Sequence, residues 1–147
     1  MTRFQFRLQT VLEWREKQLE LEESRFRQRM AEIADLDRAR DSLLAAEREA
    51  EIELRQSASI SGQDLMALTG YRRWVAARAR KLAADRAEAQ KRLAAQETAM
   101  LEARRRCRLL ERLKERRLAE WEAARDRELD ALASESYLAG WVRDRIA

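Results

Sequence analysis

Hydrophobic residues recur along the first third of the chain at alternating steps of three and four. Leu12, Leu19, Phe26 and Ile33 repeat every seven residues, and Leu8, Leu36, Leu43 and Ala50 fall on the interleaved spacing. This is the pattern of a helix that lays one apolar seam against a partner helix. Arg15, Glu22, Arg29, Arg40 and Glu47 interrupt the seam; their long stems can lie along a groove while the charges stay in water. A second seam runs through Leu82, Ala89, Leu93, Met100, Ala103, Cys107, Leu110, Trp121 and Ala124, with Gln96, Lys114 and Arg117 as polar breaks. Between the two lies the one concentration of helix-breaking residues, Ser57-Ala58-Ser59-Ile60-Ser61-Gly62.

This pattern predicts one all-α domain over residues 1–147. Its parts are a helix over about 6–56, a turn over 57–62, a helix over about 63–137 and a tail over 138–147 that unwinds at Gly140. Ser61 and Asp64 form the S-x-x-D arrangement that satisfies free amides at a helix N-terminus, so the second helix should begin near Gln63. The chain has no proline, which would clash inside a helix, and is dominated by residues that lose little rotamer freedom there. Charged residues make up 39% of it and aromatics 6%, too much charge and too little apolar bulk for a compact core. The expected fold is a long antiparallel two-helix coiled-coil hairpin with arms of roughly 75 and 110 Å. Folding about Ile60 places Leu12 opposite the neighbourhood of Leu109 and leaves the chain beyond about Arg117 projecting as a single helix.

No segment reaches the roughly 20 apolar residues of a membrane span, and the N-terminus lacks the apolar core of a signal peptide. A soluble, cytoplasmic protein is expected. Cys107 is the only cysteine and cannot form an internal disulfide, which fits a reducing compartment.

Charge is uneven along the chain. Residues 104–118 carry eight basic residues (Arg104, Arg105, Arg106, Arg108, Arg112, Lys114, Arg116, Arg117) against Glu111 and Glu115, a local net of +6 that exceeds the +4 of the whole chain. In a hairpin this stretch lies beside Arg3, Arg7, Arg15 and Lys17, forming a basic collar at the open end. Such a collar is either a solvated helix face or a docking surface for acidic protein or phosphate. Residues 119–147 instead carry four basic and seven acidic residues.

Catalytic chemistry finds little footing. There is no histidine, hence no His-based acid or base and no His metal site, and Cys107 at a seam position reads as buried packing. Glycines only at 62, 70 and 140 exclude a Gly-rich nucleotide loop. No enzyme activity, metal, cofactor or small-molecule ligand is expected.

Aromatic residues carry more information. Tyr71 and Trp74 share a face of the second helix with Leu68, Val75 and Leu82 nearby. A two-helix seam has room for only about two residues per heptad from each arm, so part of this cluster should face outward as a partner site. The competing reading has Tyr71 and Trp74 closing the hairpin tip against Ile52 and Leu54.

Four segments carry a resemblance. The opening Phe4-Gln5-Phe6-Arg7-Leu8-Gln9-Thr10-Val11-Leu12, the turn followed by Leu65 and Tyr71-Arg72-Arg73-Trp74, Leu109-Leu110-Glu111-Arg112-Leu113-Lys114-Glu115-Arg116, and Leu129-Asp130-Ala131-Leu132-Ala133 occur in an order that resembles the flagellar FliJ family across nearly the whole chain. The resemblance implies a component of the flagellar type III export apparatus, similar in shape to the central stalk of rotary ATPases. The implied partners are the hexameric export ATPase FliI, the export gate FlhA and export chaperones. The implied location is cytoplasmic and peripheral to the inner membrane at the flagellar basal body. The family's gate-contacting pair maps to Trp74 and Arg78; arginine departs from its apolar pattern, so Trp74 with Leu82, or Tyr71 with Trp74, is the alternative contact. The ATPase-contacting end maps to the paired termini, where Arg3, Arg7, Arg104, Arg105, Arg108 and Arg112 stand.

Three other readings share parts of the pattern. The stalk of a virulence injectisome has the same shape and charge, and the Phe4 to Leu12 opening favours the flagellar version. A nucleic-acid-binding coiled coil would use Arg104 to Arg117, but no aromatic residue interleaves them to stack on bases and an acidic stretch follows from Glu120 to Asp130. A parallel homodimeric spacer would need straight helices, against the break at Ser57 to Gly62.

Overall fold

The computed structural model describes residues 2–147. It contains two helices, α1 (Gln9–Gln56) and α2 (Gly62–Ile146), packed against each other as a hairpin, and no strand among the described residues. The chain forms two compact units, residues 20–101 and residues 2–19 with 102–147.

In the unit of residues 20–101 the hairpin turn is closed by side chains at both helix ends. Ser57 Oγ donates to the Leu54 carbonyl at 2.7 Å, satisfying one of the orphan acceptors at the end of α1. Across the turn the Asp64 amide donates to Ser61 Oγ at 3.1 Å, and the Ser61 amide donates to Asp64 Oδ2 at 3.0 Å. This reciprocal capping box is the one expected from the sequence. Among the described residues none has a positive φ, so the turn needs no left-handed glycine.

The Ser61 backbone amide and hydroxyl together hold the Asp64 carboxyl below the usual carboxylate range. A lowered folded-state value means that the charged cap stabilises the hairpin above the ordinary carboxylate range and is lost as pH falls through the lowered value. Ser61→Ala is expected to cost about 0.5–2 kcal/mol, read as a lower midpoint in urea at neutral pH. An unchanged midpoint would mean that the cap is redundant.

Two ion pairs and a polar contact fix the pairing of the arms in this unit. Arg86 Nε sits 2.8 Å from Asp37 Oδ1, and Arg72 reaches Glu51 at 3.0 Å. Both pairs are equidistant from the peptide between Ser61 and Gly62, so the fold axis lies about one residue beyond Ile60. The Arg86 hydrogen bond is the main reason the Asp37 carboxyl titrates below its ordinary range. Gln96 Nε2 donates to the Glu22 carbonyl at 3.2 Å and also to its carboxylate. Exposed pairs of this kind contribute little energy, but like charges in a slipped register are disfavoured.

The core is sparse: Ile33, Val75, Leu82, Ala89 and Met100 are buried in the unit of residues 20–101, and Leu12 and Cys107 in the other. Most of it belongs to α2, and the seam of α1 explains why. Arg15, Glu22, Arg29 and Glu47 are half-buried at their expected positions, whereas Arg40 is exposed.

Several boundaries differ from the sequence expectation. α1 begins at Gln9 rather than near Phe6, because residues 2–6 run without helix and 7–8 turn. In that segment Phe4 and Phe6 are half-buried while Arg3, Gln5 and Arg7 are exposed, the two-residue alternation of extended backbone. α2 does not unwind at Gly140 but continues to Ile146. Ala124 and Arg117 are exposed, and Leu118 and Arg125 are half-buried instead. The seam shifts there because the segment facing α2 is no longer a helix: the Phe4 ring meets the Trp121 ring at 6.0 Å, tilted by 55°.

No helix is long and apolar enough to cross a membrane among the described residues.

Candidate functional site

The unit containing both chain ends carries the basic residues. On α2, Arg105, Arg108, Arg112 and Arg116 follow one another at steps of three and four and are all exposed. They share one face with the exposed Leu109, opposite the seam through Cys107 and Leu110. Arg105 lies 3.9 Å from Glu102, and Arg106 spends its charge on the same carboxylate at 3.1 Å. Arg104 is half-buried and engaged within the chain, so it is not part of the outward stripe.

Arg3 and Arg7 lie on a different side of α2. The extended segment before α1 walls a groove of about 750 Å³ with Phe4, Phe6, Leu113 and Trp121, and Arg3, Arg7 and Arg117 stand around it. The groove joins an apolar floor to a cationic rim, suited to an acidic segment that also presents apolar side chains. A smaller hollow on the same segment is lined by Phe4, Phe6, Gln9 and Lys114. Of the six arginines expected at this end, Arg3, Arg7, Arg105, Arg108 and Arg112 are presented to solvent in two groups.

The aromatic pair stands in the other unit. Tyr71 is half-buried and Trp74 is 56% exposed, their rings stacked at 6.0 Å and 19°. Ile52, Ile60, Leu65 and Met66 are also exposed, while Leu54 is half-buried. Leu82 is only 7% exposed and belongs to the core; a side chain that holds the seam cannot also face a partner. Arg78 is exposed and lines a groove with Glu32, Asp35, Asp85 and Glu88, an acidic surround for its cation. Of the four residues expected to contact a partner here, Tyr71 is half-buried, Trp74 and Arg78 are exposed and Leu82 is buried.

Cys107 has a neighbourhood that the sequence did not reveal. Its sulfur lies 3.6 Å from Glu111 Oε1, and together with Glu16 the three donor atoms fall within 4.8 Å of one another. Burial, then the adjacent Glu111 charge, pushes the thiol above its ordinary value. The thiol therefore stays protonated near neutrality, which makes it a poor nucleophile and a poor ligand. Seam packing accounts for it.

No family model, curated protein or solved structure matches the chain.

Proposed function

We propose that the chain is a non-enzymatic stalk of the flagellar type III protein export apparatus, resembling the FliJ family. It binds and stimulates the hexameric export ATPase FliI through its basic end and contacts the export gate FlhA near the hairpin tip, with export chaperones as a further class of partner. In this reading it is cytoplasmic and held at the inner membrane only through those partners. The observation that carries the proposal is the juxtaposition, in the unit holding both chain ends, of an outward arginine stripe with a cation-rimmed aromatic groove. A ring ATPase responds to a bound stalk only through contacts that differ between its states, and a charged, asymmetric helical end supplies such contacts. Leu109, rather than an aromatic ring, sits among the arginines, which supports a protein partner over stacked nucleic-acid bases.

The test is direct. The purified chain is added to purified FliI, and ATP turnover and ring assembly are followed, with FlhA binding measured in parallel. Stimulation together with gate binding is the expected result. A chain that leaves turnover unchanged and binds neither protein is not this stalk. Complementation of a non-motile strain, set against rescue of injectisome secretion, separates the flagellar reading from the virulence one.

A further inference from the structure

The groove at the open end has a chemical character beyond its positive charge. Residues 2–8 wall it on one side and Leu113, Arg117 and Trp121 of α2 on the other, and among the described residues no carboxylate lines it. The second hollow on the same segment, beside Lys114, has none either. Arg117 is held by Glu120 at 3.1 Å, but Arg3 and Arg7 are exposed and form no ion pair among the described residues. Two unneutralised cations thus stand over an apolar floor. The backbone beside them is unpaired as well: among the described residues, 2–5 neither donate nor accept a backbone hydrogen bond, and the first one engaged is the Phe6 carbonyl, which accepts from the Gln9 amide at 3.0 Å. An extended segment with free N–H and C=O groups along its edge is a template for another strand.

We propose that the groove docks an extended acidic segment of a partner protein by strand addition along residues 2–6. Arg3, Gln5 and Arg7 face outward while Phe4 and Phe6 are half-buried toward α2, so a strand in which acidic and apolar residues alternate matches both sides at once. Its carboxylates lie beside Arg3 and Arg7, and its apolar side chains lie against Phe4, Phe6 and Trp121. Nucleic acid offers no such row of alternating donors and acceptors. Nor is the Trp121 ring free for a base to stack on, because the Arg125 guanidinium stands 5.3 Å from its centroid and the Phe4 ring packs on it at 6.0 Å. A second copy of this chain does not supply the segment either: every aspartate and glutamate lies within α1 or α2. The inference deepens the proposed function and rests on it only in treating the basic end as a docking end; its test uses no export protein, so either can fail without the other.

The probe is a short fluorescent peptide in which aspartate and valine alternate, titrated with the full chain in low salt and followed by anisotropy. Binding is expected with a Kd of about 100 µM or tighter. Arg3→Glu combined with Arg7→Glu should weaken it at least about tenfold, as should Phe4→Ala, whereas Arg108→Glu on the separate arginine stripe should leave it within about twofold; circular dichroism checks that helix content is unchanged in each. Methylating every amide nitrogen of the peptide keeps its side chains and charge but removes the donors that a strand pairing needs, and should also weaken binding at least about tenfold. A peptide that does not bind, one that binds the Arg3 and Arg7 double variant as well as wild type, or a methylated peptide that binds like its parent would each overturn the proposal. So would an oligothymidylate of equal charge that displaces the peptide as well as unlabelled peptide does, which would make the groove a nucleic-acid site.

Discussion

Leu82→Ala is expected to lower the stability of the hairpin by about 2–5 kcal/mol, whereas Trp74→Ala should change it by no more than about 1 kcal/mol. The two residues are about two turns apart on α2 and were both candidates for the gate contact, yet burial separates them. Leu82 lines a small cavity between the arms with Leu36 and the Asp37–Arg86 pair, so its truncation removes packing that nothing else fills. Trp74 loses mainly its stacking on Tyr71. Binding to the export gate should respond in the opposite order. Trp74→Ala is expected to weaken it by about 1–4 kcal/mol, the range of an aromatic hot spot, at unchanged helix content. Leu82→Ala should leave the affinity of the folded fraction alone. Urea melts and calorimetric titration on the same two variants decide the matter. Normal gate binding by Trp74→Ala would remove the tip from the interface, and a collapse of its stability would return Trp74 to a packing role.

The contrast reflects what periodicity can and cannot encode. A helical seam repeats at 3.5 residues and is visible wherever two helices face each other, so Leu12, Ile33, Ala89, Met100 and Cys107 were legible as core, as were Glu22 and Arg29 as half-buried interruptions. The turn was legible because Ser61 and Asp64 encode a local hydrogen-bonding motif. The pattern fails where the partner of a helix changes character. At Trp121 the opposing segment is extended, so the seam steps from Arg117 and Ala124 to Leu118 and Arg125.

The signal for that change was present in Phe4-Gln5-Phe6-Arg7, whose strict alternation has the period of an extended chain. A helix begun near Phe6 takes only Phe6 and Arg7 of this segment into the heptad pattern. The C-terminal stretch errs in the other direction. Gly140 suggested unwinding, but a lone glycine costs a helix only about 1 kcal/mol, and the residues on either side are sufficient to carry α2 to Ile146. Charge density along the sequence also overstated the basic surface. Arg104 and Arg106 contribute to the local net of +6, but Arg104 is half-buried and Arg106 pairs with Glu102 one turn away at 3.1 Å.

The basic stripe supports the second large effect. Replacing Arg105, Arg108 and Arg112 with glutamate brings the net charge of residues 104–118 from +6 to zero and reverses the sign of the outward face. All three side chains are exposed, and the one described ion pair among them, Arg105 with Glu102, is long at 3.9 Å. Exposed pairs of this kind are worth at most about 1 kcal/mol, so helix content and the melting midpoint should hardly move. Association with the ATPase should move greatly, because charges on both partners steer the encounter and fix its register. The triple variant is expected to lose stimulation of FliI, and stimulation by the wild-type chain should fall as the screening length shrinks from about 30 Å in 0.01 M salt to about 8 Å at 0.15 M. Turnover measured across that range, with both proteins, supplies the answer. If the triple variant stimulates as well as the wild type, and salt has no effect, the arginines are a solvated face and the ring is gripped by the apolar groove. In that event Phe4→Ala and Trp121→Ala, which open the groove floor, should abolish the stimulation that the charge reversal spared.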